Sequence, residues 1–321
     1  MYRLRIAGFA ALLALAAVFG SAFAQKYPTK PVRLVVPFTP GGGTDMMARL
    51  IAQKMSEVLG QSVVVDNRGG GGGTIGAETG LRATPDGYTL LLLASSYASN
   101  AVLHKLPYDP IKDLQPIILV GETGFLIVTH PSVPAKTIKE LIDLAKARPG
   151  TLNYASPGIG SSPHLTFELL KSMAGIDVVH VPYKGSGPAM SDLLGGQLQM
   201  MITGVVALIP HVRSGRLRGI AVTSAKRSAA LPDVPTVGET VPGYEAAGWY
   251  GFCGPKGVPE AVVSLWNREV NKILQTEEMK KRLEVDALEP VGGPPEQLLN
   301  TIKRDIEKWK KVVKEAKITV S

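Results

Sequence analysis

Residues 32–45 read Val-Arg-Leu-Val-Val-Pro-Phe-Thr-Pro-Gly-Gly-Gly-Thr-Asp, and the change of period inside this stretch decides the fold. Residues 32–37 are aliphatic and β-branched, which predicts a strand. Gly41, Gly42 and Gly43 then allow a tight turn, and Thr44 is placed to cap a helix. Beyond it Met47, Leu50, Ile51, Met55, Val58 and Leu59 recur at helical spacing as one apolar stripe. Strand, glycine turn and amphipathic helix form the unit of an α/β sheet, which binds ligands at the carboxyl ends of its strands.

The same grammar repeats outward. Strands are predicted over 62–65, 89–94, 152–155, 178–181, 199–202 and 217–222, alternating with helices. Thr137 and Glu140 have capping-box spacing before a helix with Ile138, Leu141, Ile142 and Ala145 on one side, ended by Pro149-Gly150. Val262, Trp266, Val270 and Ile273 form another stripe, and Leu299, Ile302, Ile306, Trp309, Val313 and Ala316 a last one. The expected fold class is α/β with mainly parallel sheets.

At the N-terminus, Arg3 and Arg5 precede an apolar run over 6–19 and then Ser21-Ala22-Phe23-Ala24. That is a secretory leader, residues 1–24, with cleavage expected after Ala24. The run is shorter than the roughly 20 residues a membrane span needs. The chain from Gln25 onward is long enough for two lobes with separate cores. Hydrophobic content of 45% with 19% charged residues is a globular composition. The net charge of +8 includes Arg3 and Arg5. Much of the remainder lies in the last helix (Lys303, Arg304, Lys308, Lys310, Lys311, Lys314, Lys317) and reads as a solvated face. These basic residues neither interleave with aromatics nor form a recognised motif, so nucleic acid is not an expected partner. Cys253 is the single cysteine, so no internal disulfide forms. Its neighbours Tyr250-Gly251-Phe252 make it a small buried hydrophobe.

The chemistry sits in the strand-to-helix turns. The first glycine turn exposes backbone N–H groups and a helix dipole to an anion. A second is Ser156-Pro157-Gly158-Ile159-Gly160-Ser161-Ser162-Pro163, with Ser162 read as the cap and Pro163 as the first helical residue. Tyr183-Lys184-Gly185-Ser186-Gly187-Pro188 repeats the device, and Ser95-Ser96 offer hydroxyls at another strand end. Two such turns placed across a cleft would hold both ends of a dianion. His164 is the histidine placed to touch a ligand; His104, His130, His180 and His211 are scattered. Gly71-Gly72-Gly73-Thr74-Ile75-Gly76 matches G-x-G-x-x-G, but it lies past its strand and lacks the downstream acid of a dinucleotide site. The sequence has no phosphate loop, no G-x-S-x-G, no H-E-x-x-H and no Cys/His cluster. No turn supplies a positioned acid–base pair, so neither catalysis nor a cofactor or metal is expected.

Pro37-Phe38 with Pro40-Gly41-Gly42-Gly43-Thr44-Asp45, Asp66-Asn67-Arg68, Pro85-Asp86-Gly87-Tyr88-Thr89-Leu90, Leu152-Asn153-Tyr154-Ala155-Ser156 and His180-Val181-Pro182-Tyr183-Lys184-Gly185 follow in order. With residues 221–228 and 231–236, they resemble the Bug family, periplasmic solute-binding receptors of tripartite tricarboxylate transporters. The resemblance runs from about Tyr27 to the last helix. It implies a type II periplasmic-binding fold: two α/β lobes, a two-crossover hinge near 121–125 and 244–248, and a ligand cleft between them. Lobe one is then 25–124 plus 246–321, and lobe two is 125–245. It further implies a periplasmic, monomeric receptor of a Gram-negative bacterium. Such a receptor captures a di- or tricarboxylate for membrane permease subunits, or alternatively docks loaded on a sensor protein.

Carried over residue by residue, the carboxylate grip falls on Phe38, Gly42, Gly43, Thr44 and Asp45, and on Ser156, Gly158, Gly160, Ser161 and Ser162. Ser95, Ser96, His164 and Thr203 complete the expected site. Two departures bear on the ligand. Many relatives carry an acid where this chain has Thr203, which argues against a cationic amino group. Ala94-Ser95-Ser96 stands where relatives often read Gly-Ser-Ser, and the Tyr97 that follows is expected to narrow that wall.

Overall fold

The computed structural model describes residues 27–285, 287–315 and 318; the leader read over 1–24, and Ala316 and Lys317, lie outside the described residues. Its helices in chain order are α1 (Gly43–Leu59), α2 (Thr74–Leu81), α3 (Ser96–Leu103), α4 (Ile138–Ala147) and α5 (Ser162–Ala174). There follow α6 (Ser186–Leu194), α7 (Val205–Arg213), α8 (Glu260–Gln275), α9 (Glu277–Val285) and α10 (Pro295–Glu315).

β1 (Val32–Val36) turns Val32, Leu34 and Val36 to one core and Val35 to the other, as the two-residue period of a strand requires. It pairs in parallel with β2 (Val63–Asn67) and with β3 (Thr89–Ala94). In β3, Leu90 and Leu92 join the first core and Leu91 and Leu93 the second. Helices α1, α8 and α9 cover one face, and α2, α3 and α10 the other.

β4 (Leu114–Thr129) joins this half to the next. Up to Gly124 it pairs with β9 (Ala247–Pro255), and Gly121–Thr123 also pair with β10 (Leu288–Pro290). From Phe125 onward it pairs instead with β7 (Met200–Gly204) and β8 (Arg218–Val222). Beside β7 run β5 (Asn153–Ser156) and β6 (Val179–Pro182), all three parallel. Each half is thus a sheet with helices on both faces: in the second half α4 and α5 cover one face, and α6 and α7 the other.

The expectation of mainly parallel sheets is corrected. Pairs are parallel only within β2-β1-β3 and β6-β5-β7, and antiparallel wherever β4 or β9 takes part. The chain leaves one half along β4 and returns along β9, so these two strands run in opposite directions.

Local signals are met with small shifts. Thr137 caps α4 by accepting from the Glu140 N–H at 3.1 Å, but the Glu140 carboxylate reaches Lys136 N–H (2.6 Å) instead of closing the box on Thr137. On α10 the buried stripe is Leu298, Ile302, Ile306 and Trp309, with Leu299 and Val313 only partly buried. The buried Asp305 carboxylate joins it and accepts the Trp249 indole N–H at 2.8 Å, which fixes α10 to β9. The basic face of α10 is exposed, as expected of a solvated face. Cys253 is fully buried in an apolar core, and burial pushes its thiol well above the usual range.

Thr223 clasps the two chain crossings. Its Oγ1 accepts from Phe125 N–H (2.9 Å) and donates to the Ala246 carbonyl (2.7 Å), while its backbone pairs with the same two residues. Thr223→Val keeps the shape but leaves a buried N–H and a buried carbonyl short of a partner. Chemical denaturation should show a loss of about 1–3 kcal/mol; a loss under about 0.5 kcal/mol would show that the clasp contributes nothing.

Candidate functional site

The carboxyl ends of the strands face each other across the junction and enclose a cavity of about 30 Å³. Phe38, Gly42, Gly43 and Thr44 form one wall, at the start of α1. Ala94, Ser95 and Ser96 form the next, at the start of α3. Thr123, Phe125, Gly248, Trp249 and Tyr250 line it from the crossing strands. The opposite wall is Pro157, Pro163, Ser186, Thr203 and Gly204, at the starts of α5, α6 and α7. Five helix N-termini therefore converge on one small space.

Four of these ends, those of α1, α3, α6 and α7, have no side-chain cap. The first N–H groups of a helix have no intrahelical acceptor, and the aligned peptide dipoles put partial positive charge there. The lining contains no Asp, Glu, Lys, Arg or His side chain. Its polar side chains are hydroxyls, apart from the Trp249 indole, whose N–H is taken by Asp305. Ser186 Oγ and Thr203 Oγ1 lie 2.6 Å apart, and burial pushes the Tyr250 phenol well above its usual range, so it stays a neutral donor. Neutral walls with positive backbone ends favour an anion and give a cation nothing to pair with.

The first turn is built by buttresses. Gly42, not Thr44, occupies the N-cap position, and Thr44 sits in the first turn. Asp45 is expected at the ligand but does not line the cavity. Its carboxylate accepts from Gly41 N–H (3.0 Å), Arg49 Nε (3.1 Å) and Asn67 Nδ2 (3.0 Å). Burial alone would raise this carboxyl, but those three donors outweigh it and hold it below the usual range. Asn67 also donates to the Phe38 carbonyl at 3.0 Å, which gives the Asp66-Asn67-Arg68 motif its role: it anchors the turn.

The second turn sits differently from what the sequence suggests. Ser156, Gly158, Gly160, Ser161, Ser162 and His164 are expected at the ligand, yet only Pro157 and Pro163 of this segment reach the cavity. Four of its amides are already committed. Gly158 N–H goes to Ser156 Oγ, Gly160 N–H to His164 Nδ1, and Ser161 N–H to the Gly158 carbonyl. Ser162 N–H goes across the junction to Ser96 Oγ at 3.0 Å, and Ser161, one residue earlier than expected, caps α5.

The glycines of this turn serve close approach between the halves. A Cβ on Gly158 would meet Gly72 N at 3.0 Å, and one on Gly160 would strike Asn100 and His104. Ser99 Oγ donates to the Gly160 carbonyl at 2.7 Å, and Asn100 Nδ2 to the Gly72 carbonyl at 2.9 Å. Gly69 and Gly185 close the same seam against Lys184 and Thr39.

Behind the turn, Phe167, Tyr154, His180 and His164 form one ring stack, with the imidazoles 4.1 Å apart. His180 Nε2 lies 2.7 Å from Ser156 Oγ. Burial pushes His164 down to about 4, opposed by Glu168 and helped by Lys171 and His104. Burial, then His164 and Lys171, push His180 down to about 3. Tyr97 does not narrow the cavity: it packs on Tyr108 and its hydroxyl donates to the Pro110 carbonyl.

Sequence reasoning missed Thr123, Phe125, Ser186, Trp249 and Tyr250. Ser186 lies in the third glycine turn and had a signal. Tyr250 had none, because only the antiparallel pairing of β9 brings it beside Gly43.

Two outcomes follow from this geometry. Gly43 does not have a positive φ, but a Cβ there would come within 2.6 Å of the Tyr250 hydroxyl and 3.0 Å of Val206 Cγ1. Gly43→Ala should therefore weaken ligand at least about tenfold in calorimetric titration, with native circular dichroism; unchanged affinity would remove this turn from the site. The two depressed histidines are neutral when folded and take protons first when unfolded, so they cost stability as pH falls below about 6.5, down to about 3–4. Between pH 6.5 and 5, thermal unfolding of His180→Phe should depend less on pH than that of the wild type; an identical slope would contradict the assignment.

The family model described as "Tripartite tricarboxylate transporter family receptor" matches residues 47–318. Protein BugT of Bordetella pertussis is 38% identical over 307 residues, 94% of each chain. Among solved structures, Rpa4515 of R. palustris with adipate has a TM-score of 0.88 at 39% identity, over 91% of this chain and 99% of that one. MatC (Rpa3494) from Rhodopseudomonas palustris with bound malate gives 0.83 at 33% identity, over 89% and 100%. The neighbours share the two-lobed α/β periplasmic-binding architecture and are receptors, not enzymes. No helix among the described residues is long and apolar enough to cross a membrane. The chain thus belongs to the tripartite tricarboxylate transporter receptor family, the Bug-type periplasmic solute-binding proteins.

Proposed function

We propose that the chain captures a small dicarboxylate between its lobes in the periplasm and delivers it, as a monomer, to the permease subunits of a tripartite transporter. One observation carries the reading: five helix N-termini, four without a side-chain cap, converge on a cavity with no charged side chain. A carboxylate accepts from such N–H groups and is favoured by the dipoles behind them. The relatives that hold adipate and malate support the same ligand class.

Gly42, Gly43, Thr44, Ser95 and Ser96 on one side and Ser186, Thr203 and Gly204 on the other are the proposed contacts. Residues 27–124 plus 246–315 form one moving lobe in this reading, and 125–245 the other. A cavity of about 30 Å³ holds only a few water-sized groups, so a dicarboxylate enters when the lobes part at Gly124/Phe125 and 245/246.

Thr203 decides the class of dicarboxylate. Its hydroxyl pairs with Ser186, where an acid would be needed to receive an ammonium group. In isothermal titration the wild type should bind succinate more tightly than glutamate. Thr203→Asp should weaken succinate by about 1–3 kcal/mol, since a partly buried like charge would face it. A wild type that prefers glutamate, or binds neither acid nor a longer dicarboxylate, would overturn the reading.

A further inference from the structure

A second, smaller chamber of about 10 Å³ lies behind Phe38, and the two spaces share Phe38, Ala94 and Ser96 as a partition. Phe38 is the one large side chain in that partition, and the tip of its ring rests on Gly73, 3.1 Å from where a Cβ would sit. Beyond it the lining is mostly apolar: Pro37, Ala77, Leu93 and Tyr97. Tyr108 also lines the chamber, and its buried hydroxyl has no hydrogen-bond partner. The ring is held by stacking on Tyr97, centroids 5.9 Å apart and planes 9° from parallel. Burial keeps this phenol protonated, so it remains an O–H donor. Asn100 lines the chamber as well; its amide oxygen is likewise unpartnered but points to Gly160.

A buried hydroxyl without a partner costs about 1–3 kcal/mol, and a chamber of this size has room for about one non-hydrogen group. A carboxylate does not fit the chemistry, because a single donor in apolar surroundings cannot offset its desolvation. An alkyl group would leave the phenol unpaired. One neutral oxygen satisfies both conditions.

We propose that the chamber is a neutral side subsite, which receives the hydroxyl or keto oxygen of a substituted dicarboxylate with Tyr108 as donor and Phe38 as the movable partition. It rests on the carboxylate reading of the main cavity and adds a preference for oxygen-substituted acids over unsubstituted ones.

The probes are succinate and malate, which differ by one hydroxyl, titrated into the full chain and into Tyr108→Phe. The wild type should bind malate more tightly, and the variant should lose about tenfold for malate but less than about twofold for succinate. A wild type that binds both acids equally, or a variant that weakens both alike or neither, overturns the subsite and leaves the carboxylate reading standing. Failure of the wild type to bind any carboxylate overturns both. A malate-bound crystal structure gives the second readout: the hydroxyl oxygen within hydrogen-bond distance of Tyr108 Oη supports the subsite, and any other placement overturns it.

Discussion

Both passages of the chain between its halves are tied to one hydroxyl, that of Thr223, which accepts from Phe125 N–H and donates to the Ala246 carbonyl. At that point β4 exchanges β9 for β7 and β8 as partners, so two sheets meet with the carboxyl ends of their strands turned toward one space. The helices that follow those strands begin there too. The position of every element of the cavity is a consequence of this junction.

The cavity is built mainly from backbone. Hydroxyls and glycines line it, and its electrostatics come from peptide dipoles that cannot rearrange without unwinding a helix. Aromatic rings (Phe38, Phe125, Trp249 and Tyr250) complete the wall, and charged side chains work one layer out. Asp45, Asn67 and Arg49 hold the first turn, and the stack from Phe167 to His164 holds the second. This division keeps charged side chains out of the cavity, while Asp45 stays paired with Gly41, Arg49 and Asn67.

The seam between the halves explains the excess of glycine around the cleft. Gly72 faces Ile159 and Ser161, Gly158 faces Gly72 and Tyr183, and Gly187 faces Pro40, with backbone packed on backbone. Side chains at these positions would hold the halves apart. Hydrogen bonds such as Ser162 N–H to Ser96 and Ser99 to the Gly160 carbonyl join the halves across this seam, so local polar contacts hold it as well as packing.

The sequence by itself determined β1, β2, β3 and β5 to β8, the helix stripes of α1, α4, α8 and α10 and the first glycine turn, but not the long crossing strand β4. The reason is that hydrophobic period, glycine and capping residues act within a few positions of one another. That Phe38, Gly42, Gly43, Thr44, Ser95, Ser96 and Thr203 line the cavity was legible for that reason: each lies in or beside the turn between a strand and the helix that follows it. The tertiary structure alone decided that Asp45 and His164 turn away from the cavity and that four amides of the second turn are already used. It also brought Trp249 and Tyr250 to the site along an antiparallel strand. Those facts depend on which groups meet across the junction, and a hydrogen bond between residues 60 or more positions apart leaves no periodic trace along the chain.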